Sequence, residues 1–400
     1  MNEEKQDWKK VFALIYTGQA FSIIGSGAVQ FSIIWWLTIK TSSAITLTNA
    51  SIIGFLPQAL IGPFAGVWVD RYNRKKVMIL ADGLVAVSSA ALGIAFLLGE
   101  PSIIFIYVIL FMRALGSTFH SPALQATIPT LVPREELVKA GGLGQMINAG
   151  TSMAGPVIGA TLMSVFNIQS IMLVDIFGAV LAIITLLFVS IPDIKRNEVK
   201  LHFIDDMKQG IIAIRNNKPL MVLILPVILA TIVYMPLSSL FPLLIRVHFQ
   251  GTAWHNGVSQ LSFSAGLLLS SFIIGISGGI KKQFLMISLS LMALGIFSGV
   301  GGALPSNLFI GFAGVSFLMG FIGTFFSIPY MAYIQKSIEA EKLGKVMSLM
   351  MSIMSLTTPL GLAISGPVSD IIGVNAWFII SGIIMFLVGI LCYFMTRKYE

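Results

Sequence analysis

The fold is decided at a short basic stretch between two long uncharged ones: Gly66-Val67-Trp68-Val69-Asp70-Arg71-Tyr72-Asn73-Arg74-Lys75-Lys76. Before it, 29 uncharged residues separate Lys40 from Asp70, and after it 23 residues separate Lys76 from Glu100, with Asp82 as their single charge. A helix needs about 20 apolar residues to cross the hydrocarbon core of a bilayer. Each interval therefore predicts one transmembrane span, and the basic stretch is a short loop between them.

The same division of the chain at its charges predicts twelve spans. Intervals long enough for one span lie at 11–39, 41–69, 77–99, 101–133, 219–245 and 247–280, and intervals long enough for two lie at 140–192, 283–335 and 346–396. We therefore predict an all-α polytopic membrane protein with two pseudo-symmetric six-helix bundles. The bundles would comprise residues 1–191 and 219–400, joined by a cytoplasmic linker at 192–218.

Composition supports a membrane protein and argues against other classes. Of the 400 residues, 56% are hydrophobic and 10% are charged, whereas a soluble domain has about a quarter charged residues. One cysteine and four histidines offer no disulfide framework or zinc site, so no cofactor or metal is expected. The net charge of +8 is scattered in short clusters, which argues against nucleic acid as a partner.

The basic residues also predict an orientation. With both termini in the cytoplasm, 22 of the 25 Lys and Arg lie in cytoplasmic segments, Lys40 and Arg246 lie outside, and Arg113 lies within a span. Short loops rich in Lys and Arg stay preferentially cytoplasmic. We therefore expect a multi-pass protein of the cell membrane with both termini inside.

An internal repeat relates the two predicted bundles. Three residues of span 4 recur with the same spacing in span 10: Gly116, Phe119 and Pro122 against Gly323, Phe326 and Pro329. A second set recurs between spans 5 and 11: Glu136, Lys139, Gly141, Ser152 and Pro156 against Glu339, Lys342, Gly344, Ser355 and Pro359. A six-plus-six duplication predicts this order of matches.

Two motifs give the chain a family resemblance. The loop at 66–76 resembles the signature G-x-x-x-D-R-x-G-R-K of the major facilitator superfamily, matched by Gly66, Asp70, Arg71, Arg74 and Lys75. In span 5, Gly155, Pro156 and Gly159 resemble the glycine-proline motif of that superfamily's drug:proton antiporters, with Ala160 in place of the last glycine. The chain is also similar to bacterial macrolide-efflux proteins of this superfamily, notably at 18–20, 54–57, 119–122 and 373–378.

The resemblance implies a secondary transporter rather than an enzyme. It would export macrolide-like or other amphipathic small molecules from bacteria by proton antiport and alternating access, as a monomer in the lipid bilayer. Asn73 replaces the family's glycine, and both residues tolerate a left-handed turn. Asp70 is expected to face the positive N-terminal dipole of span 11 and latch a cytoplasmic gate. Arg71, Arg74 and Lys75 either join that gate or only enforce the topology.

Ionisable residues inside spans are costly, so each is a candidate for proton coupling: Asp82, Arg113, His120 and Asp175. Asp175, about 8 Å below the outer surface, is the first choice as proton carrier, and Arg113, about 16 Å below it, cannot titrate and is a gate or positioning group. This difference in depth argues against a direct contact between the two. Asp82 and His120, nearer the inner face, are alternatives, although Asp82 also suits neutralisation of the basic loop.

A large amphipathic substrate needs an apolar, aromatic-rich cavity with a few polar anchors. The candidates are Tyr234, Phe241, Phe325, Phe326, Tyr330 and Tyr333 from the second half and Gln19, Gln30 and Asn148 from the first. At helical spacing such aromatic residues more often pack between helices or face lipid.

Other functions remain as alternatives. An exporter of an endogenous lipophilic metabolite, such as a siderophore, would use the same fold and motifs. An intramembrane enzyme or a channel is disfavoured, because the sequence shows neither a catalytic constellation nor the polar rings of a pore. No phosphate-binding loop is found, so ATP is not expected to drive transport.

Overall fold

The computed structural model describes residues 8–191, 203–277, 280 and 282–400, and no strand occurs among them. Fourteen α-helices form this part of the chain: α1 Trp8–Thr41, α2 Ala44–Leu60, α3 Gly62–Arg71, α4 Arg74–Leu98, α5 Ile103–Leu131, α6 Leu137–Val165, α7 Ile168–Leu187, α8 Phe203–Asn216, α9 Lys218–Leu243, α10 Ala253–Ile276, α11 Gln283–Ala303, α12 Phe309–Ser337, α13 Ala340–Ile372 and α14 Val374–Thr396. Short 3-10 turns precede α6 and follow α14, and a π-helical turn at Leu244–His248 extends α9.

The twelve predicted spans all correspond to helices. Within the described ranges, ten helices are long and apolar enough to cross a membrane. Predicted span 2 is broken at Ile61 into α2 and α3, with Pro63 in the first turn of α3, where a missing N–H is tolerated. Span 5 is α6, which is 29 residues long but rich in glycine and polar residues. The prediction of an all-α polytopic fold is confirmed.

Part of the predicted linker at 192–218 falls outside the described residues. Its described portion forms the amphipathic helix α8, in which Ile214 is buried. The proposed domain boundaries at 191 and 219 stay a prediction.

The chain divides into two compact units, one comprising Met1–Leu37 with Ile53–Val199 and the other Thr38–Ile52 with Lys200–Glu400. In the first unit α4 packs against α5 and α7. In the second, α11 packs against α12 and α14, α10 against α12, and α9 against α13 and α14. Residues 38–52, which include the start of α2, therefore belong by packing to the second unit.

The antiporter-like motif packs α6 tightly against α1. A Cβ atom on Gly155 would lie 2.9 Å from the Cα of Gly27, and one on Gly159 would lie 2.7 Å from the carbonyl oxygen of Ala28. Real Cβ atoms do not approach neighbours so closely, so glycine at both positions permits this helix contact. In this structure the motif has a packing role, and it fixes α1 beside α6.

Candidate functional site

The polar side chains inside the first unit converge from four helices. Gln19, Ser22 and Ser26 follow one another on α1 at spacings of three and four residues, so they share one face of the helix. That face meets α4, α5 and α7, where all four ionisable candidates lie. The result is two neighbouring acid-centred clusters.

The first cluster is centred on Asp175 of α7, which has no exposed surface. Its carboxylate forms an ion pair with Arg113 of α5 and accepts hydrogen bonds from Ser26 Oγ (2.7 Å) and Ser89 Oγ (2.6 Å). Arg113 is 5% exposed, and its Nη2 donates to the carbonyl oxygen of Ser26 over 3.1 Å. The depth estimate that argued against direct contact between Arg113 and Asp175 was wrong. With α5 beginning at Ile103 and α7 at Ile168, the two residues differ in depth by about 4.5 Å, which a long arginine side chain can span.

Both carboxylate oxygens of Asp175 accept hydrogen bonds, and the partners come from three other helices. The cluster therefore ties α1, α4, α5 and α7 together. The role of Asp175 as proton carrier stays a prediction.

The second cluster is centred on Asp82 of α4, which is 5% exposed. Asp82 accepts hydrogen bonds from Ser22 Oγ (3.1 Å) and Gln19 Nε2 (3.3 Å), and His120 Nε2 of α5 lies 3.7 Å from Asp82 Oδ2. The last distance is too long for a hydrogen bond. Among the described residues, Gln19 Oε1 and His120 Nε2 have no hydrogen-bond partner. Asp82 therefore has an imidazole as its nearest titratable neighbour.

The two clusters differ in what they can do chemically. A carboxylate beside an imidazole gives two groups that can each gain or lose a proton, whereas a carboxylate beside a guanidinium gives only one. The longer contact between Asp82 and His120 leaves the second cluster room to rearrange. Sequence analysis found Asp82 and His120 but missed the serines, although polar residues at one-turn spacing in the apolar helix α1 were a usable signal.

The signature loop is structured by contacts of its own basic residues. Arg74 Nη1 donates to the carbonyl oxygen of Ala126 (2.8 Å) in the last turns of α5. Lys75 Nζ donates to the carbonyl oxygens of Leu187 (3.1 Å) and Val189 (2.9 Å) at the end of α7. Both cations therefore lie near helix C-termini, where a positive charge is favourable.

Of two expectations for this loop, one is corrected by the structure and the other is not tested by it. Asn73 has φ −63°, so it does not adopt the left-handed turn that the family's glycine suggested; instead its side chain caps α4 by accepting from the backbone N–H of Lys76 (3.1 Å). Asparagine is a favoured N-cap residue, which explains its presence. The predicted contact of Asp70 with span 11 rests on a side chain outside the described part of the structure, and it stays a prediction.

The aromatic cavity candidates lie in the second unit, where the structure shows mainly packing contacts. The ring of Phe241 lies 5.4 Å from that of Phe312 and 5.5 Å from that of Phe378, and Phe326 stacks on Tyr330 at 5.9 Å. Other contacts are Tyr333 Oη donating to Asn217 Oδ1 (3.1 Å), Phe325 beside Phe321, and Tyr234 against the core. Of the polar candidates, Gln19 is buried against Asp82, Asn148 is half-buried and Gln30 is exposed.

The first unit contains a groove of about 570 Å³ that the sequence did not predict. It is lined by residues of α1 and α6: Trp8, Lys9, Phe12, Ala13, Tyr16, Thr17, Ala20, Phe21, Ile24, Lys139, Leu143 and Ile147. Phe12 stacks on Tyr16 with ring centroids 4.3 Å apart, and Trp8 contacts Phe12 edge-on. Aromatic residues at positions 8, 12 and 16, one turn apart, were the available signal. The groove is of a size and polarity that suits part of a large amphipathic molecule.

The long apolar helices and the charges buried between them are those of a polytopic membrane protein, and the sequence of the chain places it in a family of membrane transporters. Residues 15–280 and 261–400 match the Major Facilitator Superfamily. The chain belongs to that superfamily.

Individual proteins of known sequence or structure are also similar to this chain. The chain is 40% identical over 392 residues to Macrolide efflux protein A of Streptococcus pyogenes, covering 98% of this chain and 97% of the relative. It is 31% identical over 175 residues to the enterobactin exporter EntS of Escherichia coli O127:H6, covering 40% of this chain and 41% of the relative. Among solved structures, an inward-facing bacterial homologue of the iron transporter ferroportin has a TM-score of 0.75 at 15% identity, covering 98% of this chain and all of the other.

Proposed function

We propose that this transporter exports macrolide-like and other amphipathic drugs across the bacterial cell membrane by proton antiport. The observation that carries the proposal is the 40% identity, over nearly the full length of both chains, to a macrolide efflux protein. Alternating access in a monomer with both termini in the cytoplasm is part of the proposal, as expected from the superfamily and from the charge distribution.

The groove between α1 and α6 supports an amphipathic substrate. Its walls are aromatic and aliphatic, and the few polar groups come from Tyr16, Thr17 and the two lysines. A largely apolar site with a small number of polar anchors is typical of sites for such ligands. We propose that part of the substrate occupies this groove, and that the aromatic residues of the second unit support the fold more than they contact the drug.

Coupling to protons is proposed to occur at Asp82 and His120. Their contact can exist as an ion pair or with one group neutral, and each change alters the bonds to Gln19 and Ser22 on α1. Helix α1 also lines the groove. Protonation of Asp82 and binding of a drug in the groove would therefore both change the contacts of α1. Asp175, which the sequence ranked first, is proposed instead to act with Arg113 as a positioning pair.

Accumulation of a labelled 14-membered macrolide in bacteria expressing the protein tests the proposal. We expect cells with the protein to accumulate less macrolide than cells without it. A protonophore should abolish this difference, and so should Asp82→Asn at unchanged protein abundance. The matched control is Glu341→Gln, which removes an exposed carboxylate elsewhere. If the parent protein does not lower accumulation, macrolide export is refuted. If export persists in the presence of the protonophore, proton coupling is refuted.

A second candidate is export of a siderophore, which the partial similarity to an enterobactin exporter favours. The same cells distinguish the two functions when they are loaded with a labelled catechol siderophore. Secretion of that compound without any change in macrolide accumulation would select the second candidate.

A further inference from the structure

A carboxylate of α13 caps the beginning of α2. Asp370 Oδ1 accepts a hydrogen bond from the backbone N–H of Ala44 (2.5 Å), and Oδ2 accepts from the N–H of Ile45 (3.2 Å) and from Ser43 Oγ (2.8 Å). Ser43 Oγ in turn accepts from the N–H of Thr46 (3.3 Å). The first N–H groups of a helix have no partner within the helix, and here a residue more than 300 positions away satisfies two of them.

Close packing accompanies this cap. A Cβ atom on Gly366 would lie 2.3 Å from Thr48 Oγ1 and 3.2 Å from Ile45 Cα, so only glycine permits α2 to lie this near α13. Thr48 is consequently 1% exposed. The turn leading into α2 contains Ser42 with φ 49°, a left-handed conformation that is uncommon for serine. The surrounding contacts hold this strained turn in place.

The position of the contact along the chain gives it a mechanical meaning. Residues 38–52 pack with the second unit, but residues 8–37 before them and 53–71 after them pack with the first. The start of α2 is thus a piece of the first half of the sequence held in the second unit, with Asp370 as its polar anchor. Any transport step that moves one unit relative to the other must release residues 38–52 from the second unit or bend the chain at both ends of this segment.

We propose that Asp370 is a gating residue: of these two routes the protein uses the first, and the cap of Asp370 on α2 is a latch that holds the start of α2 on the second unit and opens in each transport cycle. By the predicted orientation the cap lies at the outer end of α2. Asp370 is exposed and Ser43 is half-buried, so opening transfers their polar groups to water instead of burying a charge. A carboxylate that caps a helix N-terminus stabilises the capped state only modestly, so the same contact can be released during transport.

This inference rests on the alternating-access part of the proposed function, and a labelling experiment tests it without any substrate. In a Cys392→Ala background, Thr48→Cys is a reporter buried under the contact. In lipid nanodiscs we expect Asp370→Ala to raise its rate of modification by a maleimide about fivefold or more, and Asp370→Asn to give an intermediate rate. Glu341→Gln, with the same change of charge at the other end of α13, should leave the rate unchanged. Equal rates in the parent and in Asp370→Ala, with both folded by thermal unfolding, would overturn the proposal.

A cross-link then asks whether the contact must open. The double variant Ser43→Cys with Asp370→Cys, joined by a short thiol-reactive linker, should lose export and regain it when the linker is cleaved. The pair Thr252→Cys with His255→Cys, three residues apart at the start of α10, is the control and should transport in both forms. Full export by the cross-linked pair would refute the latch. Absence of macrolide export in every variant would count against the proposed substrate, and the labelling result would then decide whether Asp370 is a latch.

Discussion

Arg113 of α5 and Asp175 of α7 form an ion pair sealed from solvent, with 6% of the arginine side chain exposed and none of the aspartate side chain. Removing one member of a buried pair leaves the other charge without compensation, which costs about 3–5 kcal/mol. We therefore expect Asp175→Asn and Arg113→Leu each to lower thermal stability and abundance strongly. The double variant Asp175→Leu with Arg113→Leu should recover part of the loss.

Thermal unfolding of the purified single and double variants in detergent measures these differences in stability. Glu135→Gln, an exposed acid outside the pair, is the control for loss of a carboxylate. An Asp175→Asn protein that is as stable as the parent would show that the pair does not hold these helices together.

Asp82 and His120 are expected to behave differently from that pair. Because their contact is looser, Asp82→Asn and His120→Gln should cost stability by only about 1 kcal/mol. Both should nevertheless remove the response of export to an imposed pH gradient. Export rates in proteoliposomes at several gradients check this, and a variant with normal gradient dependence would exclude its residue from coupling.

The glycines of α6 give a steric prediction. Gly155→Ala places a Cβ atom against Gly27 of α1 and should destabilise the protein by about 1–3 kcal/mol. Gly150→Ala is the matched control on the same helix, because no heavy atom lies within 4 Å of the Cβ it would add. Thermal unfolding should separate the two. Equal stability would show that α1 and α6 do not pack as closely as the structure indicates.

The basic loop allows its two proposed roles to be separated. Lys75→Met and Lys76→Met remove the same charge from the same loop, so any effect on topology is shared. Only Lys75 donates to the two carbonyls at the end of α7, and its loss should cost about 1–2 kcal/mol more. If both variants unfold at the same temperature, Lys75 acts only through its charge.

The groove can be tested by filling it. Leu143→Trp adds bulk on the wall of the groove and should reduce macrolide export severalfold at normal abundance. Met146→Trp changes the same helix at a position that is 72% exposed and outside the groove, and it should leave export intact. Equal export by both variants would remove the groove from the substrate path.

Sequence reasoning predicted the helices well because each depends on a local property, the interval between charges. It located Asp82, Arg113, His120 and Asp175 for the same reason, since an ionisable residue in an apolar stretch stands out. It could not pair them, because pairing depends on how helices are offset and rotated. An error of a few residues in a helix start moves a side chain by several ångströms along the axis.

The cap on α2 shows a second limit. Asp370 lies near the end of a predicted span, where an acid is unremarkable, and its partners Ser43, Ala44 and Ile45 present only a hydroxyl and backbone N–H groups. Nothing in residue type links positions more than 300 apart. The groove escaped prediction for a related reason, because aromatic residues on α1 suit packing equally well until the position of α6 is known.

The most direct test of proton-coupled export measures proton and drug movement together in proteoliposomes. Proteoliposomes are loaded with a labelled macrolide, and a pH gradient is imposed across their membrane in either direction. Macrolide flux is then measured for the parent, for Asp82→Asn and for the control Glu341→Gln. We predict that reversing the gradient reverses net drug flux in the parent and in the control. In Asp82→Asn the drug flux should not depend on the gradient. Drug flux in the parent that is indifferent to the gradient, or Asp82→Asn flux that still follows it, would contradict coupling through Asp82 and His120.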